Sequence, residues 1–434
     1  MDQINSKQDL ISFFEKGCKK KNQLGIGVEH EKFLFEKNSN KRINFETVSK
    51  VFDFFLQFGW KPIKEKNDVV GLSKDGKSIS LEPGNQIELS GAILNSIHLT
   101  CSESYKFLDE LKKACSNLNL KMMSTSFDPF SSLKAIPKPP KQRYEIMTEE
   151  MPKKGKLSLQ MMYQTCGTQI NLDYVSEKDF IKKFKLSSFL VPISTAIFAN
   201  SPIKEGKLTG YFSYRSKIWQ STARAGLPKI FLEEMDFEKY IDMAINMPLL
   251  FVLKNSNHFK AEGKTFKDFM DGKLSIMKNT KPNIRDFKNH LATIFTEIRL
   301  KQYIEIRSLD TCEWDCHCGG PAFYVGLLYG SLDESYDIIS QWEITEVLNA
   351  YMEAPKKGLN TIINGKTILE WGKIFLSLSK KGLEKRSVKN DIGKDESIFL
   401  RSVEDILTNN KTKADMTIEK FKKDNNLEFL YEKT

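Results

Sequence analysis

Residues Leu81–Gly91 read LEPGNQIELSG, placing two carboxylates, Glu82 and Glu88, and an amide, Gln86, at even positions around a Pro-Gly bend. In an extended chain alternate side chains point to one face, so Glu82, Gln86 and Glu88 converge. Leu81, Ile87 and Leu89 then face a core. Charged side chains are rarely committed to a strand between apolar neighbours unless something pairs with them. A hard cation such as Mg²⁺ is the natural partner, because it takes oxygen ligands and few of them from the protein. Alone, the segment also reads as an ordinary solvated strand face.

Three further segments place polar groups on alternate positions. In GIGVEHEKF (residues 25–33), Glu29 and Glu31 share a face with Phe33, while His30 points away. In TCGTQINLDY (165–174) the set is Thr165, Gln169, Asn171 and Asp173. In YIEIR (303–307) it is Tyr303, Glu305 and Arg307, with Ile304 and Ile306 opposite. Together they predict a sheet with one face turned to a polar cavity. Glu29, Glu31, Glu82, Glu88 and Glu305 cannot crowd together ionised without strong repulsion, so cations must neutralise them. Mg²⁺ ions bridging the phosphates of a nucleotide satisfy this, and Arg307 is then placed to stabilise a transferring phosphoryl group. The bland alternative is a salt-bridged barrel interior. There is no Gly-rich P-loop, so metal and arginine would have to hold the phosphate.

The 434-residue chain is 40% apolar and 28% charged, the profile of a soluble globular protein. It reads as one catalytic domain, 1–434: a sheet-containing core over 1–330 and a mainly helical portion over 331–434. Strands are expected at Gly25–Glu36, Thr165–Tyr174 and Arg299–Ser308, and a helix at Thr47–Phe58, stopped by Gly59. Ser176 with Asp179 caps a further helix that Pro192 should kink or end. Ala135–Lys141 reads as a loop, Asn200–Pro202 and Cys318–Pro321 as turns, and helices follow from Pro321.

No apolar run approaches the ~18 residues needed to span a bilayer, so no membrane partner is expected. MDQINSKQDL at the N-terminus has neither a signal-peptide nor a transit-peptide pattern, which makes the cytoplasm the default. The net charge of +10 comes from lysines spread along the whole chain. With no dense aromatic-basic block, nucleic acid is not an expected partner; the excess helps to attract anionic substrates. Seven scattered cysteines suit free thiols better than a disulfide framework. The cluster Cys312-x₃-Cys316-His317-Cys318 has the look of a thiolate metal site but lacks a second paired half, so a loop with incidental thiols is the favoured reading. Histidine is a poor candidate for the chemistry, since His30 falls on the wrong face.

At this point the residues resemble a known family. GVEHEKF, LEPGNQIELSGA, RYEIM followed by MPKKG, TCGTQINLDY, ANSPIKEGK, YRSKIW, and HLATIFTEIRLKQYIEIRSLD followed by PAFYVGLLY are similar, in the same order, to plant-type glutamate–cysteine ligase. This branch is shared by plants and many proteobacteria. The resemblance implies an α+β fold whose antiparallel sheet forms a funnel-like active site related to glutamine synthetase, covered by helices. It implies ATP- and Mg²⁺-dependent joining of the γ-carboxylate of L-glutamate to the amine of L-cysteine, through a γ-glutamyl phosphate, as the first step of glutathione biosynthesis. It makes Glu29, Glu31, Glu82, Glu88 and Glu305 metal-ligand candidates, with Glu305 and Arg307 as the catalytic pair. Gln169 and Asn171 would line the substrate strand. Arg143 and Arg215 match arginines expected to hold the glutamate substrate, where a guanidinium grips a carboxylate in fixed orientation. The expected partners are small molecules alone, on a monomer or homodimer. No protein nucleophile is needed, and a glutamate of the cluster or the phosphate itself is left to take the amine proton.

The chain departs from the family in three places. After the tryptophan the family continues WTDTD and then RTG; here Trp219–Gly226 reads WQSTARAG, without the acidic residues and shorter. That favours, as an alternative, a related carboxylate–amine ligase with a different acceptor. Asn85 stands where the family commonly has Gly, a change a turn tolerates because Asn accepts left-handed backbone angles. The cysteine-rich loop 312–318 also departs. A basic binding protein that kept the fold and lost catalysis predicts substitutions in the glutamate cluster, and none is present.

Overall fold

The structure is a computed structural model describing residues 3–278 and 280–432. Its class is α+β, built on one antiparallel sheet of nine strands. These are β1 (Ile26–Glu36), β2 (Lys61–Glu65), β3 (Asp68–Lys74), β4 (Lys77–Leu81), β5 (Ile87–Ser90), β6 (Leu120–Met123), β7 (Gly167–Leu172), β8 (Ile298–Leu300) and β9 (Ile304–Asp310). The order is β8-β9-β7-β1-β5-β4-β3-β2, with β6 paired to the far end of β1.

Register follows from the period-2 pattern, because one face of every central strand is apolar and a slip of one residue would turn that face to water. It sets Glu31 opposite Glu88 and Glu29 opposite both Ser90 and Gln169. On β9, Glu305 lies opposite Asn171. The expected strand Arg299–Ser308 is instead the hairpin β8–β9, in which Arg299 faces Glu305. Ile298, Leu300, Ile304 and Ile306 stay buried through both arms. The apolar alternation therefore continues across the Lys301–Tyr303 turn and hides it.

Helices cover the apolar face. Phe45–Leu56 starts where the Asn44 side chain accepts from Thr47 N, and ends before Gly59, whose φ is +84°. It packs Val48, Val51 and Phe55 with Leu111 of the helix Ile97–Asn117 onto Ile79, Leu81 and Leu89 of the sheet. A larger core joins Ile170, Leu172, Ile304 and Ile306 to the C-terminal helices through Phe323, Phe375 and Val403. The helix capped by Ser176 stops at Phe189 and another resumes over Val191–Ile197, with Pro192 in its first turn. The turn expected at Cys318–Pro321 is the start of a helix, Gly319–Val325. Gly320 serves packing there, since a Cβ would stand 2.4 Å from Leu309 Cδ2.

The reading of all cysteines as free thiols is corrected. Cys101 pairs with Cys318 and Cys312 with Cys316, leaving Cys18, Cys115 and Cys166 free. Cys101 and Cys318 are 217 residues apart in sequence, yet their Cα atoms lie 6.0 Å apart, within bridging distance. With those sulfurs bonded to each other, the 312–318 cluster offers no thiolate for a metal. His317 instead stacks on His30 with ring centroids 3.2 Å apart.

His290 is buried against Phe266 and pairs through Nε2 with Ala244 O at 2.7 Å. Burial, then the nearby Arg224 charge, pushes its imidazole from an ordinary 6.5 down to about 3. Between those values the unfolded chain binds a proton that the folded one refuses. Stability is therefore complete above the upper value and is lost as pH falls toward the lower one. Urea midpoints measured from pH 7 to 4 should fall, and His290→Gln should remove about one proton from the uptake on unfolding. An unchanged slope in that variant would contradict the assignment.

Candidate active site

The polar face of the sheet gathers the carboxylates. Glu29 Oε1 accepts from Asn171 Nδ2 at 2.8 Å, and Glu31 accepts from Gly167 N at 2.8 Å and Gln169 Nε2 at 2.9 Å. Glu88 accepts from Ser80 and Ser90 hydroxyls, each at 3.0 Å. Among the described residues the Glu82 carboxylate has one side-chain donor, Ser80 Oγ, at a long 3.4 Å. Burial and the Glu82 charge push Glu31 up to about 7. Burial, then Glu82, Glu29 and Glu31, push Glu88 well above the ordinary carboxylate range. Glu305 behaves oppositely: burial alone would raise it, but Arg299, Lys301 and Arg307 outweigh that and hold it well below. Arg299 grips it with Nε and, at 2.6 Å, Nη2, while Arg307 Nη1 donates to it at 2.7 Å.

Gln86 does not join the carboxylates as the alternation suggested. Its Oε1 accepts from Gly84 N at 2.7 Å and its Nε2 donates to Thr165 O at 2.9 Å, which locks the Pro-Gly bend. Asn85 has φ +59° and donates to Ile43 O and Pro137 O. Lys141 Nζ and Tyr144 OH both bond Leu81 O, at 2.7 and 3.0 Å, from the other side.

Beside Glu31 and Glu82 a cavity of about 70 Å³ is walled by Arg143, Arg215, Trp219 and Arg307. Arg143 comes from the helix Gln142–Glu150 and Arg215 from the helix Tyr214–Trp219. Arg215 Nη2 donates to Arg307 O at 2.7 Å and packs on Gly167, where a Cβ would stand 2.7 Å from that nitrogen. The indole of Trp219 lies 5.0 Å from the Arg215 guanidinium and 5.5 Å from that of Arg307. Among the described residues, buried donors without partners remain on all four walls: Nε of Arg143, Arg215 and Arg307, and Nε1 of Trp219. An unpaired buried donor costs ~1–3 kcal/mol, so the walls favour an anionic guest.

Whether the carboxylate face suits Mg²⁺ is a matter of its donors. Among the described residues no three His, Cys, Asp or Glu side chains stand close enough to hold an ion as placed. The donor set is nonetheless all oxygen, Glu31 and Glu88 stand directly opposite each other, and the buried Asn171 Oδ1 lacks a partner beside Glu29. Like charges opposed across strands repel, and a hard divalent cation removes that repulsion. The donor chemistry suits the ion, although the side chains as placed do not close around one.

The comparisons with known proteins agree with this geometry. The model of glutamate–cysteine ligase family 2 (GCS2) matches residues 25–433. The chain belongs to that family. It is an enzyme, a ligase, and the activity its family carries is the first step of glutathione synthesis. It is 42% identical over 416 residues to glutamate–cysteine ligase B, chloroplastic, of Oryza sativa subsp. japonica, covering 94% of this chain and 83% of that one. It is 38% identical over 422 residues to the chloroplastic glutamate–cysteine ligase of Arabidopsis thaliana, covering 96% and 80%. In fold it is similar to the Francisella tularensis glutamate–cysteine ligase solved in complex with AMP. That match has a TM-score of 0.56 at 12% identity, covering 94% of this chain and 86% of that one.

The cytoplasmic expectation is not upheld: the plant relatives are named chloroplastic. A destination is an address read by receptors, so the composition of the folded chain does not report it. As for membranes, among the described residues no helix is long and apolar enough to cross one.

Arg299, Lys301 and Trp219 were missing from the sequence-based site. Arg299 and Lys301 required the turn between β8 and β9. Trp219 carried a signal in YRSKIW: a residue four positions after Arg215 on a helix shares its face.

Proposed function

We propose that the cavity binds L-glutamate, that ATP phosphorylates its γ-carboxylate, and that the amine of L-cysteine displaces the phosphate. The observation that carries this is the opposition of two charge sets around one cavity: Glu31 and Glu82 on the sheet side, with Glu88 opposite Glu31, and arginines with unpartnered donors beside them. Arg143 and Arg215 orient the α-carboxylate of glutamate. Arg307, fixed by Gln169 and Glu305, faces the phosphoryl group in transfer. Glu29, Glu31, Glu82 and Glu88 are the residues that would hold Mg²⁺, with Asn171 Oδ1 beside Glu29; Glu305 would have to release one bond to Arg299 to join them. Mg²⁺ held there would neutralise charge on the nucleotide phosphates. Positioning supplies most of the remaining rate. The core shared by Ile170, Phe375 and Val403 supports reading 1–434 as a single catalytic domain.

The test is ADP release from purified protein with Mg-ATP and glutamate, with and without cysteine, joined to mass spectrometry. Cysteine-dependent turnover yielding γ-glutamylcysteine is the expected result. No ATP hydrolysis while ATP still binds would reject the enzyme reading. The same assay addresses the alternative acceptor, which the 219–226 loop keeps in play: Gln220 Nε2 is bonded to Tyr351 O at 2.6 Å, and no carboxylate stands in the loop. ATP hydrolysis that needs glutamate but ignores cysteine would favour it.

Glu88→Gln should abolish turnover and yet raise the urea midpoint of the metal-free protein near neutral pH, because burial and the neighbouring carboxylates penalise the ionised Glu88 that the unfolded chain carries freely. A lower midpoint would show that Glu88 is not under repulsion.

A further inference from the structure

A second cavity, about 640 Å³ in volume, lies beyond the ends of β1 and β7 and shares no lining residue with the arginine-walled one. Six cations line it, Lys21, Lys178, Lys182, Lys183, Lys385 and Arg386, against three carboxylates. Those carboxylates are occupied. Asp179 pairs with Lys183 at 2.9 Å and Asp333 with Lys182 at 2.6 Å, while Glu334 turns to Lys381 at 3.7 Å. Arg386 pairs with Glu396 at 3.0 Å. Among the described residues, Lys21, Lys178 and Lys385 have no carboxylate within ion-pair distance, and all three stand on the wall of this one concavity.

Its floor is rigid. Tyr329 lies between Lys183, 4.7 Å from its ring, and Arg386, 5.5 Å away. The Tyr329 hydroxyl donates to Gly25 O and accepts from Asp173 N, each at 2.6 Å, which ties the floor to the strands carrying Glu29 and Asn171. Residues at the N-terminal ends of two helices complete the wall, Ser176 and Lys178 for Glu177–Phe189, and Leu332 and Asp333 for Leu332–Ile339. Before the second helix the chain makes a π turn, Gly326–Gly330, a distortion frequent at functional sites.

A solvated lysine surface spaces its unpaired charges apart. Here they are concentrated in a cleft, which focuses their field. The volume falls within the ~300–1,000 Å³ of small-molecule sites. We infer that this cavity binds a small anion of the polyphosphate class, apart from the catalytic site. Lysines without a counter-charge on the wall of one cleft supply the chemistry that draws phosphate oxygens.

The test is calorimetric titration of the full chain with sodium tripolyphosphate, in EDTA at low ionic strength, where exposed charges are least screened. One equivalent should bind, and Lys178→Glu with Lys385→Glu should weaken it by about tenfold or more. Lys21→Gln with Lys385→Gln, which reverses no charge, should weaken it less. An ADP arm separates sources: ADP binding sensitive to the same substitutions assigns a nucleotide, and sensitivity of tripolyphosphate alone assigns the inorganic anion. Turnover in the ligase assay should be unchanged in both variants, so this outcome is independent of the proposed activity. Equal affinity of wild type and both variants, or no binding to wild type at millimolar anion, overturns the site.

Discussion

Arg307→Ala is expected to lower kcat by about 10³-fold or more, the scale seen when a guanidinium that meets developing phosphoryl charge is removed. KM for glutamate should move far less, because Arg143 and Arg215 remain. The side chain is anchored facing the cavity, where Nη1 donates to Gln169 and Glu305, the backbone N–H bonds Glu297 O at 2.9 Å, and Nε stays free. Folding should survive, since Glu305 keeps both bonds from Arg299 and Lys301 at 3.4 Å. Arg307→Lys should restore little, because an ammonium cannot span two acceptors with the planar fork of arginine. A kcat within tenfold of wild type would remove Arg307 from the chemistry. Lost stability with kcat preserved would reassign it to a structural role.

The second large effect is on folding. Arg42 and Asp128 form an ion pair at 3.2 Å with both side chains fully buried. Asp128 also accepts from Phe130 N and Ser131 N at 2.9 Å, while Arg42 packs 4.4 Å from the Phe33 ring and donates to Gly84 O of the Pro-Gly bend. Asp128→Ala leaves a guanidinium buried without its counter-charge, which costs about 3–5 kcal/mol. Urea unfolding should show that loss, and turnover should fall as well, because the Arg42 bond to Gly84 helps to place Glu82. The double change Arg42→Met with Asp128→Leu removes both charges and should recover much of the stability, though not the bond to the bend. A single variant no worse than the double would mean that the pair is not desolvated as described.

Local rules carried much of the site. Period-2 alternation placed Glu29, Glu31, Glu82, Glu88, Gln169 and Asn171 on one face, because in a strand neighbouring side chains must point to opposite sides. The same rule turned His30 away, and the structure buries it against His317. Where alternation named the face but not the partner, it misled: Gln86 shares the parity of Glu82 and Glu88, yet backbone groups at Gly84 and Thr165 consume it. The β8–β9 turn was hidden for a related reason, since both arms bury isoleucine and leucine on the same face.

The chain by itself determined the period of each strand, the start of the helix at Ser176, the break at Pro192 and, through its ordered motifs, its family. These depend on residues close in sequence, or on matches read one position at a time. Only the tertiary structure decided that Arg299 holds Glu305, that Cys101 reaches Cys318, that Arg143, Arg215, Trp219 and Arg307 wall one cavity, and that Lys21, Lys178 and Lys385 wall another. Each is a contact between segments whose separation along the chain says nothing of their distance in space. Burial then sets its energetic weight, by taking away the water that would otherwise satisfy every charge alone.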